Sequence, residues 1–173
     1  MGSVSLDEIP GGSLCVIDTN VLLYAEEGVS RQAQRLLWRC ARGELGGVLP
    51  QTVWHEVTHK LMLAEAMMKG IITGGKPAAR LSARPEIVKG LKIYRAKVRA
   101  LVDLGLGFEP CTMKDLTKTA FGLQEKYGLM TNDAMVLAVA IRLKAEALVS
   151  ADKAFQKITD VTLYVPTDVG DGV

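Results

Sequence analysis

The sequence has little of what several common chemistries require. Its three cysteines, Cys15, Cys40 and Cys111, are odd in number and widely spaced. They fit neither a zinc knuckle nor a disulfide framework, and they predict a reducing cytoplasm as the home of the chain. Aromatic residues make up 5% of the chain, too few for an extended base-stacking platform, and Tyr94 is the obvious one inside a basic segment. No apolar run approaches the ~18 residues of a membrane span. Residues 1–13, MGSVSLDEIPGGS, contain Asp7 and Glu8 and lack the apolar stretch of a signal peptide. A large charge of one sign is missing too: the net charge is +2, which by itself announces no nucleic-acid binder. What remains is ordinary globular usage, 49% hydrophobic and 23% charged, in a chain of 173 residues that predicts one domain with a sizeable core.

Short apolar runs alternate with helical spacing. LCVID (14–18), GVLP (47–50), a stretch near 107–109, ALVS (147–150) and VTLYV (161–165) read as strands. Helical patterns occupy 30–44, 50–70, 86–104, 114–128 and 133–147, with a short one over DKAFQKI. The last long pattern is apolar nearly all round, which suits a central position. Residues 70–86, rich in Gly, Pro and Arg, read as a loop or excursion. This alternation predicts an α/β fold with a mainly parallel sheet between helices. Residues 1–13 are expected to be a flexible segment, 14–166 a single domain with a basic excursion near 65–100, and 167–173 a tail.

Four acids fall where such a sheet binds ligands, beyond the carboxyl ends of its strands. Asp18 ends the run LCVI, and Asp152 follows LVS after one residue. Glu56 lies in the second turn of the helix opened by Pro50, and Asp133 lies at the start of the helix opened by Thr131. Crowded carboxylates raise one another's pKa unless a cation sits between them. Oxygen ligands with few nitrogens suit Mg²⁺ or Mn²⁺, and such an ion activates water and neutralises charge on a phosphodiester. Each acid also has a simpler reading. Asp133 suits a helix N-terminus, Asp152 the cap of DKAFQKI, Asp18 a turn at Asp-Thr-Asn, and Glu56 a solvated helix face.

Together, CVIDTNVLLY, TVWHEV, TNDAMVLAVA and LVSADKAF resemble the PIN-domain nucleases in the expected order over roughly residues 14–165. The pattern is most similar to the VapC-like toxin ribonucleases of bacterial and archaeal toxin–antitoxin pairs. The resemblance implies a three-layer α/β/α fold with a mainly parallel sheet of four or five strands. It also implies an endoribonuclease dependent on Mg²⁺ or Mn²⁺ that leaves 5′-phosphate and 3′-hydroxyl ends. On it, Asp18, Glu56, Asp133 and Asp152 are the catalytic and metal-binding acids, supported by Asn20 and Ser150. RNA, a homodimer and a small antitoxin are the implied partners. The segment from about 65 to 100 is longer and more basic than the compact family pattern.

WHEVTH (54–59) matches the H-E-x-x-H order of zinc peptidases through His55, Glu56 and His59. A helical projection puts Val53, Val57, Leu61, Ala64 and Met68 on one apolar stripe and both histidines opposite it. Residues 59–65 supply no glycine and third histidine at the extended spacing. The zinc peptidase therefore stays an alternative, beside a PIN-fold RNA-binding scaffold without activity and a phosphatase with Asp18 as nucleophile. The phosphatase wants a second Asp two residues on, where the chain has Asn20.

Basic residues are clustered. Arg31, Arg35, Arg39 and Arg42 recur at helical spacing, and 76–99 holds eight basic residues against one acid, Glu86. Such patches hold phosphate backbones or face solvent and acidic partners. Arg95, Lys97 and Arg99 are the candidate substrate contacts.

Overall fold

The computed structural model describes residues 4–170. Its centre is a sheet of six parallel strands flanked by helices in three layers, with more strands than the four or five expected. The strands are β1 (Val4–Ser5), β2 (Leu14–Ile17), β3 (Gly46–Pro50), β4 (Gly107–Glu109), β5 (Ala147–Val149) and β6 (Leu163–Val165). Their order is β1-β6-β5-β2-β3-β4. After β2 the chain builds to one side through β3 and β4, and later to the other through β5 and β6. The switch point therefore lies between β2 and β5, where a parallel sheet opens a crevice.

The central strands are buried on both faces, as their unbroken apolar runs require. Cys15, Val16, Ile17, Ala147, Leu148 and Val149 are all fully buried. Gly47 pairs with Cys15 in the neighbouring strand, and a Cβ there would stand 2.6 Å from Leu106 and 2.8 Å from Cys40. A larger residue there would have to push the Leu106 and Cys40 side chains aside.

Eight helices are described: α1 (Thr19–Glu26), α2 (Arg31–Ala41), α3 (Gln51–Met68), α4 (Pro77–Ser82), α5 (Pro85–Gly90), α6 (Ile93–Asp103), α7 (Phe121–Tyr127) and α8 (Thr131–Leu143). A π-helical turn, Asp115–Ala120, leads into α7, which stops at Gly128 with a φ of 72°. Every residue of α8 from Ala134 to Ala140 is buried, in keeping with its apolar sequence.

Three expectations change. Val4 and Ser5 of the segment expected to be flexible pair with Tyr164 and Val165, and Leu6 and Ile9 are buried. At the other end, Asp168 accepts hydrogen bonds from Ser30 Oγ at 2.6 Å and from the Gln32 amide at 3.0 Å, so the expected tail clasps the start of α2. The supposed loop at 70–86 holds α4 and most of its approach to α5; both helices begin with proline, which is preorganised for a first turn.

The excursion has a small core of its own. Ala66, Ile72, Leu81 and Leu91 pack together beside the main one. This rotates the buried face of α3: Val53, Val57 and Leu61 are buried as expected, but Ala64 and Met68 are exposed, and Glu65 and Ala66 take their place. Glu65 accepts hydrogen bonds from the amides of Lys92 at 3.0 Å and Tyr94 at 2.9 Å, and an ion pair from Lys69 at 2.5 Å. It thereby caps α6, whose own N-cap side chain makes no such bond.

Candidate active site

Asp18 leaves β2 at the switch point and caps α1. Its backbone N–H donates to Val149 of β5, and its Oδ1 accepts from the Thr19 amide at 2.7 Å. The carboxylate is buried, with 8% exposure. Its Oδ2 accepts from Ser150 Oγ at 2.7 Å and from Asn20 Nδ2 at 3.0 Å. Asn20 closes the ring by accepting from the Ala151 amide at 3.0 Å. Asp18 and its polar neighbours thus bridge the carboxyl ends of β2 and β5.

Asp152 follows on that same loop. Its backbone N–H donates to Ser150 Oγ at 3.0 Å, and its Oδ1 caps the 3-10 turn Lys153–Lys157 at the Ala154 amide. Both Asp18 and Asp152 therefore cap helical turns, and both also belong to an acidic group. The two readings are compatible because a carboxylate has two oxygens and four lone-pair sites.

Glu56 arrives from the second turn of α3, which follows β3 without a loop. Its Oε2 accepts from Thr19 Oγ1 at 3.2 Å, and its Oε1 pairs with Lys60 at 2.7 Å. Asp133 stands in the first turn of α8, half-buried.

Electrostatics bind the four into one group. Burial pushes the Asp18 pKa up against the hydrogen bonds of Ser150 and Thr19, and Glu56 and Asp152 push it further. Burial, then the charges of Asp152, Asp18 and Glu56, raise Asp133 to about 6. Each of the four acids is therefore felt by another, although they come from four separate stretches of chain. Of the four, only Glu56 has an ion-pair partner among the described residues. Among those residues, too, no three His, Cys, Asp or Glu side chains are gathered closely enough to hold a metal ion as they stand. Crowded anions repel, and Asp18, Glu56 and Asp152 have turned to local donors.

Two contributors were not foreseen. Thr19 is buried and orients Glu56; its place beside Asp18 was the available signal. Lys60 is one helical turn beyond Glu56, a spacing that predicts the pair. His55 and His59 are exposed on α3, away from its buried stripe, as the helical projection expects.

The basic patches are largely committed. Arg35 pairs with Asp7 at 2.6 Å, Arg39 donates to the Ile9 carbonyl at 2.6 Å, and Arg42 pairs with Glu44 at 3.2 Å and lies over Trp38. On α6, Arg95 and Arg99 are exposed and one turn apart, whereas Lys97 points elsewhere and pairs with Glu26 at 2.7 Å. The three expected substrate contacts do not share one face.

A PIN-domain family model matches residues 15–161. The chain belongs to the PIN-domain family. No curated protein sequence matches it. The PIN fold recurs in solved structures at low identity. VapBC2 from Rickettsia felis, bound to a DNA fragment from its promoter, aligns with a TM-score of 0.56 at 17% identity over 88% of this chain and 98% of that one. A toxin–antitoxin complex from Klebsiella pneumoniae gives 0.55 at 20% identity, covering 85% and 94%. VapBC-1 from nontypeable Haemophilus influenzae gives 0.54 at 17%, covering 89% and 98%. In this PIN domain the acidic group lies at the sheet's switch point, and no helix among the described residues is long and apolar enough to cross a membrane.

Proposed function

We propose that this PIN domain is a metal-dependent endoribonuclease acting in the cytoplasm as the toxin of a toxin–antitoxin pair. The observation that carries the reading is the convergence of Asp18, Glu56, Asp133 and Asp152 on one edge, with Asp133 raised to about 6 by burial and by the other three charges. Crowded acids favour a cation between them, and their all-oxygen donor set fits Mg²⁺ or Mn²⁺ better than zinc. All four would hold the ion. When bound, it supplies an activated water and neutralises charge on the phosphodiester.

The chain's own residues prepare that site. Ser150 and Asn20 orient Asp18 by donating to one of its oxygens. Thr19 steers Glu56 toward the strand edge. The N-terminus of α8, next to Asp133, favours the anionic phosphate. Arg95 and Arg99 are the cations of the expected trio with no ion-pair partner among the described residues, and they would track the RNA backbone. Lys97 would contribute only after leaving Glu26.

A homodimer and an antitoxin partner accompany this reading. The toxin–antitoxin complexes sharing the fold support the antitoxin, as does a groove of about 300 Å³ between α1, α2 and α6 with Leu22, Leu37, Leu101 and Leu104 along it.

The test is incubation of the purified protein with RNA, with and without Mn²⁺, beside Asp18→Asn. Cleavage that requires both Mn²⁺ and Asp18 supports the reading. Cleavage by Asp18→Asn at the wild-type rate, or none by the wild type with Mn²⁺, refutes it.

A further inference from the structure

Lys60 is, among the described residues, the one cation in an ion pair with any of the four acids. The pair is built into α3. Glu and Lys stand at i and i+4 in the favourable order, so their heads meet above the same face. Val57 and Leu61 lie between and beside them in the core and fix the rotation of the helix. The packing of α3 therefore keeps the two side chains on one face, within reach of each other. Glu56 divides its two oxygens between this ammonium and the Thr19 hydroxyl, so neither oxygen is free of a partner.

Asp18 and Asp133 respond to the charges of the other acids, yet among the described residues no three are gathered closely enough to hold an ion. Asp18, Asp133 and Asp152 enter from the strand ends and from α8, whereas Glu56 is the member held by a cation.

We propose that Lys60 is a latch on the metal centre: its ammonium occupies one oxygen of Glu56, and a divalent ion must displace it to take that oxygen. The latch rests on the nuclease reading above and makes Lys60 a positioning residue. Its hold is weak by design of its surroundings. The two side chains are 47% and 31% exposed, and exposed pairs of this kind contribute little. A divalent ion wins the exchange, but at a higher concentration than it would need with Glu56 unpaired. The displaced ammonium then stands beside a phosphodiester-binding edge with its charge unpaired.

The experiment measures Mn²⁺ binding directly, by electron paramagnetic resonance or calorimetry, without RNA or turnover. The proteins are the wild type, Lys60→Gln, Lys60→Arg, Asp18→Asn and Lys89→Gln. The last removes the same charge from the exposed Lys89–Glu86 pair outside the acid group. Lys60→Gln is expected to bind Mn²⁺ about three- to tenfold more tightly than the wild type, from loss of the competing pair and of a like charge. Lys60→Arg keeps a cation on Glu56 and should stay within about twofold of the wild type, as should Lys89→Gln. Equal Asp18-dependent binding by the wild type and Lys60→Gln overturns the latch alone. Tightening shared by Lys60→Arg or Lys89→Gln also overturns it. Absence of Asp18-dependent binding in both the wild type and Lys60→Gln overturns the metal-centre reading and the latch with it.

Discussion

Two buried carboxylate sites in this protein answer the same physical problem in opposite ways. At the switch point, Asp18 and Asp133 are withdrawn from water beside two more acids, and burial and repulsion raise their pKa values. Under the excursion, Glu65 is withdrawn still further, with its side chain 1% exposed. Burial alone would raise it. Lys69 and the amides of Lys92, Ile93 and Tyr94 outweigh that and bring it down to about 2. The difference is the charge around each carboxylate: Glu65 has the Lys69 ammonium among its donors, whereas Asp18 has only neutral donors and the charges of Glu56 and Asp152 beside it. Glu65 is satisfied within the fold, so it builds structure by joining α3 to α6. The switch-point acids are left short of positive charge, a condition typical of sites that await a ligand.

The comparison can be broken by exchanging charge for its neutral isostere. Asp18→Asn should lower Mn²⁺-dependent RNA cleavage by about 10²–10³-fold, on the scale of losing one preorganised electrostatic group. Its circular-dichroism melt should show no loss of stability. A mutant that unfolds at the wild-type assay temperature would assign Asp18 to the scaffold instead.

Glu65→Gln should do the reverse. It leaves the partly exposed Lys69 without its partner and weakens the cap of α6, at a cost of about 1–2 kcal/mol. The pKa of Glu65 is lowered in the fold, so its contribution is full above the ordinary value of 4.5 and is lost as pH falls toward about 2. Urea melts at pH 7 and pH 3 should therefore show a large gap between the proteins at the first and a smaller one at the second. A constant gap would contradict the assignment.

Asp133→Asn should stabilise the metal-free protein. Here the folded pKa is raised, so the wild type loses stability as pH climbs from 3.8 to about 6. The gain at pH 7 should be about 1–2 kcal/mol after allowance for partial exposure, and should vanish below about pH 4. Added Mn²⁺ should stabilise the wild type and narrow the gap. A destabilised Asp133→Asn at pH 7 would end the contrast with Glu65.

The smallest effect belongs to the motif that first suggests zinc. With His55 and His59 exposed, the double change His55→Ala, His59→Ala should alter cleavage by less than about twofold, as surface changes do. Loss of activity in a folded double mutant would restore those histidines to the chemistry.

Local chemistry announced much of this molecule. An apolar run ending in Asp18, another ending just before Asp152, and a proline opening the helix of Glu56 were each legible, because strand ends and helix starts carry punctuation. Other features carried none. Val4–Ser5 has no period to read and becomes a strand only because β6 offers an open edge. Pro77 and Pro85 were read as breakers, but each starts a helix whose apolar face is covered by α3 or its neighbours. Asp18-Thr19-Asn20 offered turn chemistry as one reading, and there Asp18 instead caps α1. Lys97 sits among basic residues in the chain, yet in space it meets Glu26.

The amino-acid order by itself determined the parallel alternation of strands and helices and the place of each acid at an element's end, since both follow from periodicity and caps within a few residues. Only the tertiary structure decided that four distant acids share one electrostatic field while Glu65 receives its donors and Lys60 holds Glu56. Charge and hydrogen bonding act through space, and sequence separation says little about which groups the fold brings within their reach.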